Sequence, residues 1–227
     1  MAVVTPTHGR PEALELCRLW MSRQTRQPDD WQIVDDAEIP PGWQNYCANL
    51  RIGIENANAD AIVIVEDDDY YRPSYLELVD GWLSMVEIIG NQHIRYYDLR
   101  NRMWISERRR VSPLAQTAFR IEHRPLFIDV LERVARVSKP YVARESGETV
   151  DGGFWDSVRD RKLSSALPMS PFRWVGMKGM PGSAQISSVR EQDRSRWSRD
   201  SEGLDQLRTY LGEDAEHYLP FVCEVSA

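Results

Sequence analysis

A chain of 227 residues with 42% hydrophobic content can bury one substantial core, and we read a main unit over 1–181, in halves 1–90 and 91–181, followed by a tail over 182–227. A net charge of -7 argues against a grip on nucleic acid by phosphate neutralisation, and no stretch approaches the roughly 20 apolar residues of a bilayer span. Cys17, Cys47 and Cys223 show no CxxC or Cys/His spacing, so neither a disulfide framework nor a zinc site is indicated, and a cytoplasmic location away from the membrane is expected.

Ala2–Thr5 reads as a strand and is followed, after the turn from Pro6 to Arg10, by a helix from Pro11 to about Gln24 with Leu14, Cys17, Leu19 and Trp20 on its apolar stripe. Trp31–Val34 is a second strand. The breaker Pro40-Pro41-Gly42 precedes a helix in which Trp43, Tyr46, Cys47, Leu50, Ile54 and Ala57 recur at helical spacing. Ala61–Val65, short and wholly apolar, fits a parallel strand covered on both faces. A helix from Pro73 through Ile89 completes a strand–helix alternation that predicts an α/β fold with a mainly parallel central sheet flanked by helices. Further strands are expected between His93 and Arg120, helices near Leu126–Val137 and Phe154–Arg161, and a closing strand at Phe172–Met177. From Gly182 to Glu202 the chain is polar and aperiodic, which suggests a mobile loop that closes as a lid, before a helical pattern returns over Leu204–Tyr218.

Glu66-Asp67-Asp68-Asp69 follows the third strand directly, at the strand end where open α/β sheets carry their ligands. Four adjacent carboxylates repel one another unless a cation neutralises them, and an all-oxygen set selects a hard ion, Mn²⁺ or Mg²⁺, of the kind that bridges to phosphates. One or two acids would suffice to complement the dipole of the next helix; four point to metal or phosphate chemistry. Between His93 and Arg124 eight arginines (Arg95, Arg100, Arg102, Arg108, Arg109, Arg110, Arg120 and Arg124) form a basic stretch. This could face an anionic partner such as DNA, but the expectation we favour is a solvated strand-and-loop surface whose arginines pair with the surplus carboxylates elsewhere in the chain.

Together these segments resemble the GT-A glycosyltransferases, in particular the inverting family 2 type. Val4-Thr5-Pro6-Thr7-His8-Gly9-Arg10 is similar to the family's first strand and P-T-x-x-R turn, Ile33-Val34-Asp35-Asp36 to its second strand, and Gly53-Ile54-Glu55-Asn56-Ala57 with residues 61–69 to its G-I-x-x-A helix and D-x-D-D motif. Tyr70-Tyr71-Arg72-Pro73 keeps the following proline, and past residue 90 the likeness thins. The resemblance implies a nucleotide-sugar-binding half over 1–90 and an acceptor half over 91–181. It implies a donor, a UDP-sugar, held by Thr5, Pro6, Thr7, Arg10, Asp35, Asp36, Arg51, Glu66 and Asp67, with metal on Asp67, Asp68 and Asp69 and Asp68 ranked first. Glu66 departs from the family's aspartate.

Inverting transfer needs a carboxylate to take the acceptor proton. Val150-Asp151-Gly152-Gly153-Phe154-Trp155-Asp156 resembles the family's second acidic motif, which makes Asp151 the expected catalytic base at a loop-to-helix transition, Asp156 the reserve, and Trp155 a surface on which a sugar could stack. The plain alternative is that Asp151 caps the helix. Gln192-Asp193-Arg194-Ser195-Arg196-Trp197 has one residue too many for the family's Q-x-x-R-W motif. Acceptors compatible with this reading are a glycan, a protein or a hydroxymethylated pyrimidine in DNA, the last two by likeness to compact bacteriophage-type chains. The rival readings are a nucleotidyltransferase, against which the glycine-poor Thr5–Arg10 turn argues, and a non-catalytic carbohydrate-binding or virion protein.

Overall fold

In the computed structural model, which describes residues 1–36, 38–40, 42–136, 149–168, 174–182 and 195–222, strand β1 (Ala2–Pro6) is buried along its whole length. It pairs in parallel with β2 (Asp30–Val34) on one side and β3 (Ala61–Ile64) on the other. Successive side chains leave opposite faces of a strand, and here both faces are covered. Ala2, Val4, Ile62 and Ile64 pack against α2 (Trp43–Asn56), α4 (Arg124–Ala135) and α5 (Val150–Asp160), while Val3 and Val63 pack against α1 (Pro11–Ser22) and α3 (Tyr75–Leu83). That double covering is why these strands carry unbroken apolar runs. Helix α2 lies close on β1 because Gly53 has no side chain; a Cβ there would sit 2.5 Å from Cγ1 of Val4.

Beyond β3 the sheet becomes mixed. Strand β8 (Ala118–Arg120) runs antiparallel to β3, β5 (Ile88–Ile89) antiparallel to β8, and β9 (Ser165–Ala166) parallel to β5, giving the order β2-β1-β3-β8-β5-β9. A second sheet is built on the hairpin of β6 (His93–Asp98) and β7 (Met103–Arg108). Its order is β11 (Ser198–Arg199), β7, β6, β10 (Trp174–Lys178), β4 (Tyr70–Tyr71), with β10 parallel to β6 and antiparallel to β4. The chain therefore crosses from the first sheet to the second through residues 65–69, the acidic segment. The result is an α/β fold with a central sheet flanked by helices.

The expected helix from Pro73 through Ile89 is shorter than its pattern suggested: α3 stops at Leu83, and Ile88 and Ile89 pair with Phe119 and Ala118 as a strand. An apolar pair beside a helix has no periodicity of its own, so only the sheet partner distinguishes the two states. The closing strand begins at Trp174, Phe172 lying outside the described residues, as does most of the expected lid, residues 183–194. The helical pattern over Leu204–Tyr218 divides into α6 (Asp205–Leu211) and a 3₁₀ segment, Gly212–Phe221. Leu207, Tyr210, Leu211, Ala215 and Tyr218 from these two elements enter the same core as α1, and the Trp20 indole donates to the Tyr218 hydroxyl at 2.9 Å.

The basic stretch is committed within the chain. Arg100, Arg102, Arg120 and Arg124 donate to backbone carbonyls, Arg108 donates to Gln92, Arg109 and Arg110 pair with Glu107 and Asp156, and Arg95 lies over the Tyr210 ring. Their partners are carbonyls and rings more often than the surplus carboxylates expected from sequence. Cys17 and Cys47 are buried free thiols, and among the described residues no helix is long and apolar enough to cross a membrane.

Candidate active site

The turn after β1 is shaped by Gly9, whose φ of 56° falls in the left-handed region that side chains disfavour. It returns the chain so that Pro11 opens α1 and Arg10, just outside the helix, sends its guanidinium back over the end of β3. There Arg10 Nη1 lies 3.1 Å from Asp67 Oδ1 and Nη2 2.5 Å from Asp68 Oδ2, and the Thr7 hydroxyl donates to Asp67 Oδ2 at 2.7 Å. Thr7 is itself held at both backbone groups: its N–H donates to the Val34 carbonyl, and its carbonyl accepts from Asn49 Nδ2.

Asp69 is positioned from the other sheet, and Glu66 is held from both sides. Asp69 is fully buried; its Oδ2 accepts from the Trp174 indole at 2.8 Å, and its Oδ1 from the Met177 N–H at 2.9 Å, with the Lys178 ammonium at 3.7 Å. Glu66 accepts from the Tyr46 hydroxyl at 3.1 Å, and its backbone N–H donates to the Tyr71 hydroxyl at 2.9 Å. One carboxylate oxygen from each of Glu66, Asp68 and Asp69 lies within 4.8 Å of the others, a hard all-oxygen set suited to a divalent ion. Asp67, expected among the metal ligands, is instead turned toward Arg10 and Thr7, and Glu66 joins the metal-compatible trio in its place.

Electrostatics divide the four acids along a different line, setting Asp68 apart. Burial raises the carboxyl groups of Glu66, Asp67 and Asp69, Asp67 to about 7 even though Arg10 opposes the shift. Asp68 goes the other way: burial is outweighed by Arg10 and Lys178, which hold it ionised. Once all four carboxylates are ionised they outnumber the two cations, Arg10 and Lys178, and a divalent ion that displaces their protons would balance the remaining charge.

The other expected site residues lie at varying distances from this centre. Pro6 ends β1 opposite Val34. At the end of β2, Asp35 is half exposed and 3.2 Å from His8 Nδ1, while Asp36 is tied into a turn: its carboxylate accepts from the Glu38 N–H, its N–H donates to Asn49 Oδ1, and its carbonyl accepts from Asn45. Thr5 is fully buried and accepts from the Trp31 indole at 3.0 Å, so its hydroxyl faces the protein interior. Arg51 projects from the outer side of α2 to Glu55 and Glu132. Neither the Thr5 nor the Arg51 side chain makes a hydrogen bond or ion pair with the acids of the centre among the described residues.

Helix α5 begins one residue before Asp151. Its cap is Thr149, whose hydroxyl accepts from the Gly152 N–H at 3.1 Å, so the capping alternative for Asp151 is replaced by a position in the first turn. Asp151 stays close enough to the centre for its charge to act on Tyr46, the phenol that donates to Glu66. Asp156 instead pairs with Arg110 at 3.1 Å and Arg159 at 2.9 Å on the surface. Trp155 does not present a face to a sugar: it is 4% exposed, packs edge-on to Phe154 and directs its indole N–H at Thr117.

Sequence reasoning missed Lys178, Tyr46, and the pair Asn45 and Asn49, 2% and 1% exposed, which brace the ends of β1 and β2. The asparagines did leave a signal: two amides four residues apart on the otherwise buried side of α2 face one neighbour. Lys178 left none.

No protein-family model matches this chain, and no curated protein sequence matches it. Solved structures do. The S. aureus TarS structure in complex with UDP aligns with a TM-score of 0.50 and 9% identity over 78% of this chain, which spans 60% of that chain's length. A Drosophila β-1,4-galactosyltransferase 7 mutant in complex with manganese, UDP-Gal and xylobiose aligns with a TM-score of 0.50 and 13% identity over 90% of this chain and 82% of that one. At these identities the likeness establishes the fold, which is GT-A.

Proposed function

We propose that this chain is a metal-dependent glycosyltransferase that moves a sugar from a nucleotide-diphosphate donor, a UDP-sugar, to an acceptor hydroxyl with inversion. The observation that carries the reading is the meeting, at the end of β3 in a GT-A fold, of Glu66, Asp68 and Asp69 with Arg10 and Thr7 from the turn after β1. Manganese and UDP in the similar structures support the same assignment.

Glu66, Asp68 and Asp69 would hold the divalent ion, which supplies neutralisation of the diphosphate as negative charge develops on it. Arg10 adds a fixed positive charge at the same place and, with Thr7, holds Asp67 and Asp68 in orientation. Asp35 and Asp36, at the neighbouring strand end, border the region for the nucleoside. Asp151 acts as general base on the acceptor hydroxyl: it stands in the first turn of α5, within electrostatic reach of Tyr46, and among the described residues it forms no ion pair, whereas Asp156 is held by Arg110 and Arg159.

Calorimetry with UDP tests the reading. Wild-type protein should bind UDP at least about tenfold more tightly with saturating Mn²⁺ than without, and Asp68→Ala should lose that gain. Equal UDP affinity of Asp68→Ala and wild type in Mn²⁺ would remove Asp68 from the site.

A further inference from the structure

Among the 28 basic residues of this chain only three are lysines: Lys139, Lys162 and Lys178. In a protein that uses arginine almost everywhere, one of the two cations held against the acidic centre, the other being Arg10, is one of these three. Lys178 ends β10 and is 8% exposed. Its carbonyl accepts from the Leu99 N–H at 2.9 Å, and its ammonium lies 3.7 Å from Asp69 Oδ1 and 5.2 Å from the centre of the Tyr96 ring. Its charge also acts on Glu66 and Asp68, so it addresses all three carboxylates of the metal-compatible trio. Burial alone would lower the ammonium's pKa, but the attraction of Asp68, Asp69 and Glu66 outweighs it and keeps the group protonated.

An arginine would form a forked, bidentate pair and take carboxylate oxygens out of use; a lysine is a compact point charge that leaves their remaining lone pairs free. Such a charge repels an incoming divalent ion while remaining attractive to an anion. We propose that Lys178 is a resident counter-cation that makes divalent-ion binding at Glu66, Asp68 and Asp69 depend on the diphosphate, so that ion and donor load together. Without a donor, Lys178 already offsets part of the cluster's charge, and the ion gains less by binding. When the diphosphate arrives its own negative charge faces both cations, and the repulsion between them is screened. Coupling of this kind is reciprocal: whatever the diphosphate adds to ion affinity, the ion adds to diphosphate affinity.

This inference rests on the proposed donor site, and the experiment separates the two. Mn²⁺ affinity is measured by electron paramagnetic resonance of the free ion, with and without UDP, for wild type and Lys178→Met, each checked for native circular dichroism and melting. For wild type, UDP should tighten Mn²⁺ binding strongly. In Lys178→Met, Mn²⁺ alone should bind at least about tenfold more tightly than to wild type, because a unit charge a few ångströms away is removed, and the gain from UDP should shrink. A purely structural lysine would give the opposite, a weakened site. Equal or weaker binding of Mn²⁺ alone to folded Lys178→Met overturns the role of Lys178 while leaving the donor site standing. Failure of wild type to bind Mn²⁺ even with UDP overturns the donor site itself. Should Lys178→Met not fold, wild-type protein labelled with ¹³C at the lysine Cε decides: the Lys178 signal should move when Mg²⁺ saturates the site, and an unmoved signal with Mg²⁺ and UDP bound refutes the proposal.

Discussion

Asp151→Asn separates chemistry from folding because the structure assigns the two tasks to different residues. Thr149 caps α5, accepting from the Gly152 N–H at 3.1 Å, and Asp151 follows in the first turn. The folding contribution of the Asp151 charge is then limited to its interaction with the helix dipole, about 0.3–1 kcal/mol. A positioned general base contributes about 10² to 10⁴ in rate, which is about 2.7–5.4 kcal/mol of barrier. Asparagine keeps the size and polarity of the side chain but cannot take a proton. The variant should therefore melt within a few degrees of wild type, bind UDP and Mn²⁺ normally, and lose at least about a hundredfold in UDP release from the UDP-sugar that wild type turns over fastest. Thr149→Ala should show the reverse, a stability loss of about 0.5–2 kcal/mol with a much smaller effect on turnover. A stable Asp151→Asn protein with near-normal UDP release would refute the assignment, and the ion pairs of Asp156 leave it a poor substitute.

Asp69→Ala should destabilise by about 3–5 kcal/mol even without metal, because it strands the Trp174 indole, the Met177 N–H and the Lys178 ammonium in the interior; urea unfolding measures this, and a loss below about 1 kcal/mol would contradict the role of Asp69 as the joint between the two sheets. The pH dependence of the metal-free protein follows from the raised carboxyl groups. Asp67, pushed by burial from an ordinary 3.8 to about 7 in the folded protein, favours the folded state below the unfolded value, and that contribution is lost as pH rises through 7. Metal-free protein should thus melt lower at pH 8 than at about pH 5.5, and Mn²⁺, which must displace protons, should raise the melting temperature more at pH 8; an equal Mn²⁺ shift at both pH values would count against it.

Local sequence determined the alternation of β1, α1, β2, α2 and β3 and the position of the acids behind β3. Burial on both faces writes continuous apolar runs, and amphipathic helices write their period, so each element is legible from its own residues. The Thr7 and Arg10 turn was readable for the same reason, being contiguous with β1. Tertiary structure decided what no short window contains. Glu66 rather than Asp67 completes the metal-compatible trio because Arg10 and Thr7 draw Asp67 aside. Ile88 and Ile89 became a strand because β8 lay beside them. Trp155 went to the core because the apolar side of α5 faces the first sheet, and the arginines of 93–124 found carbonyls and rings within reach. Lys178 meets Asp69 only because β10 pairs with β4 and β6 and so places its end beside a segment more than a hundred residues earlier. A single charge with no periodicity takes its meaning from the partners that the sheet brings to it, and those partners are set by strand pairing rather than by neighbouring sequence.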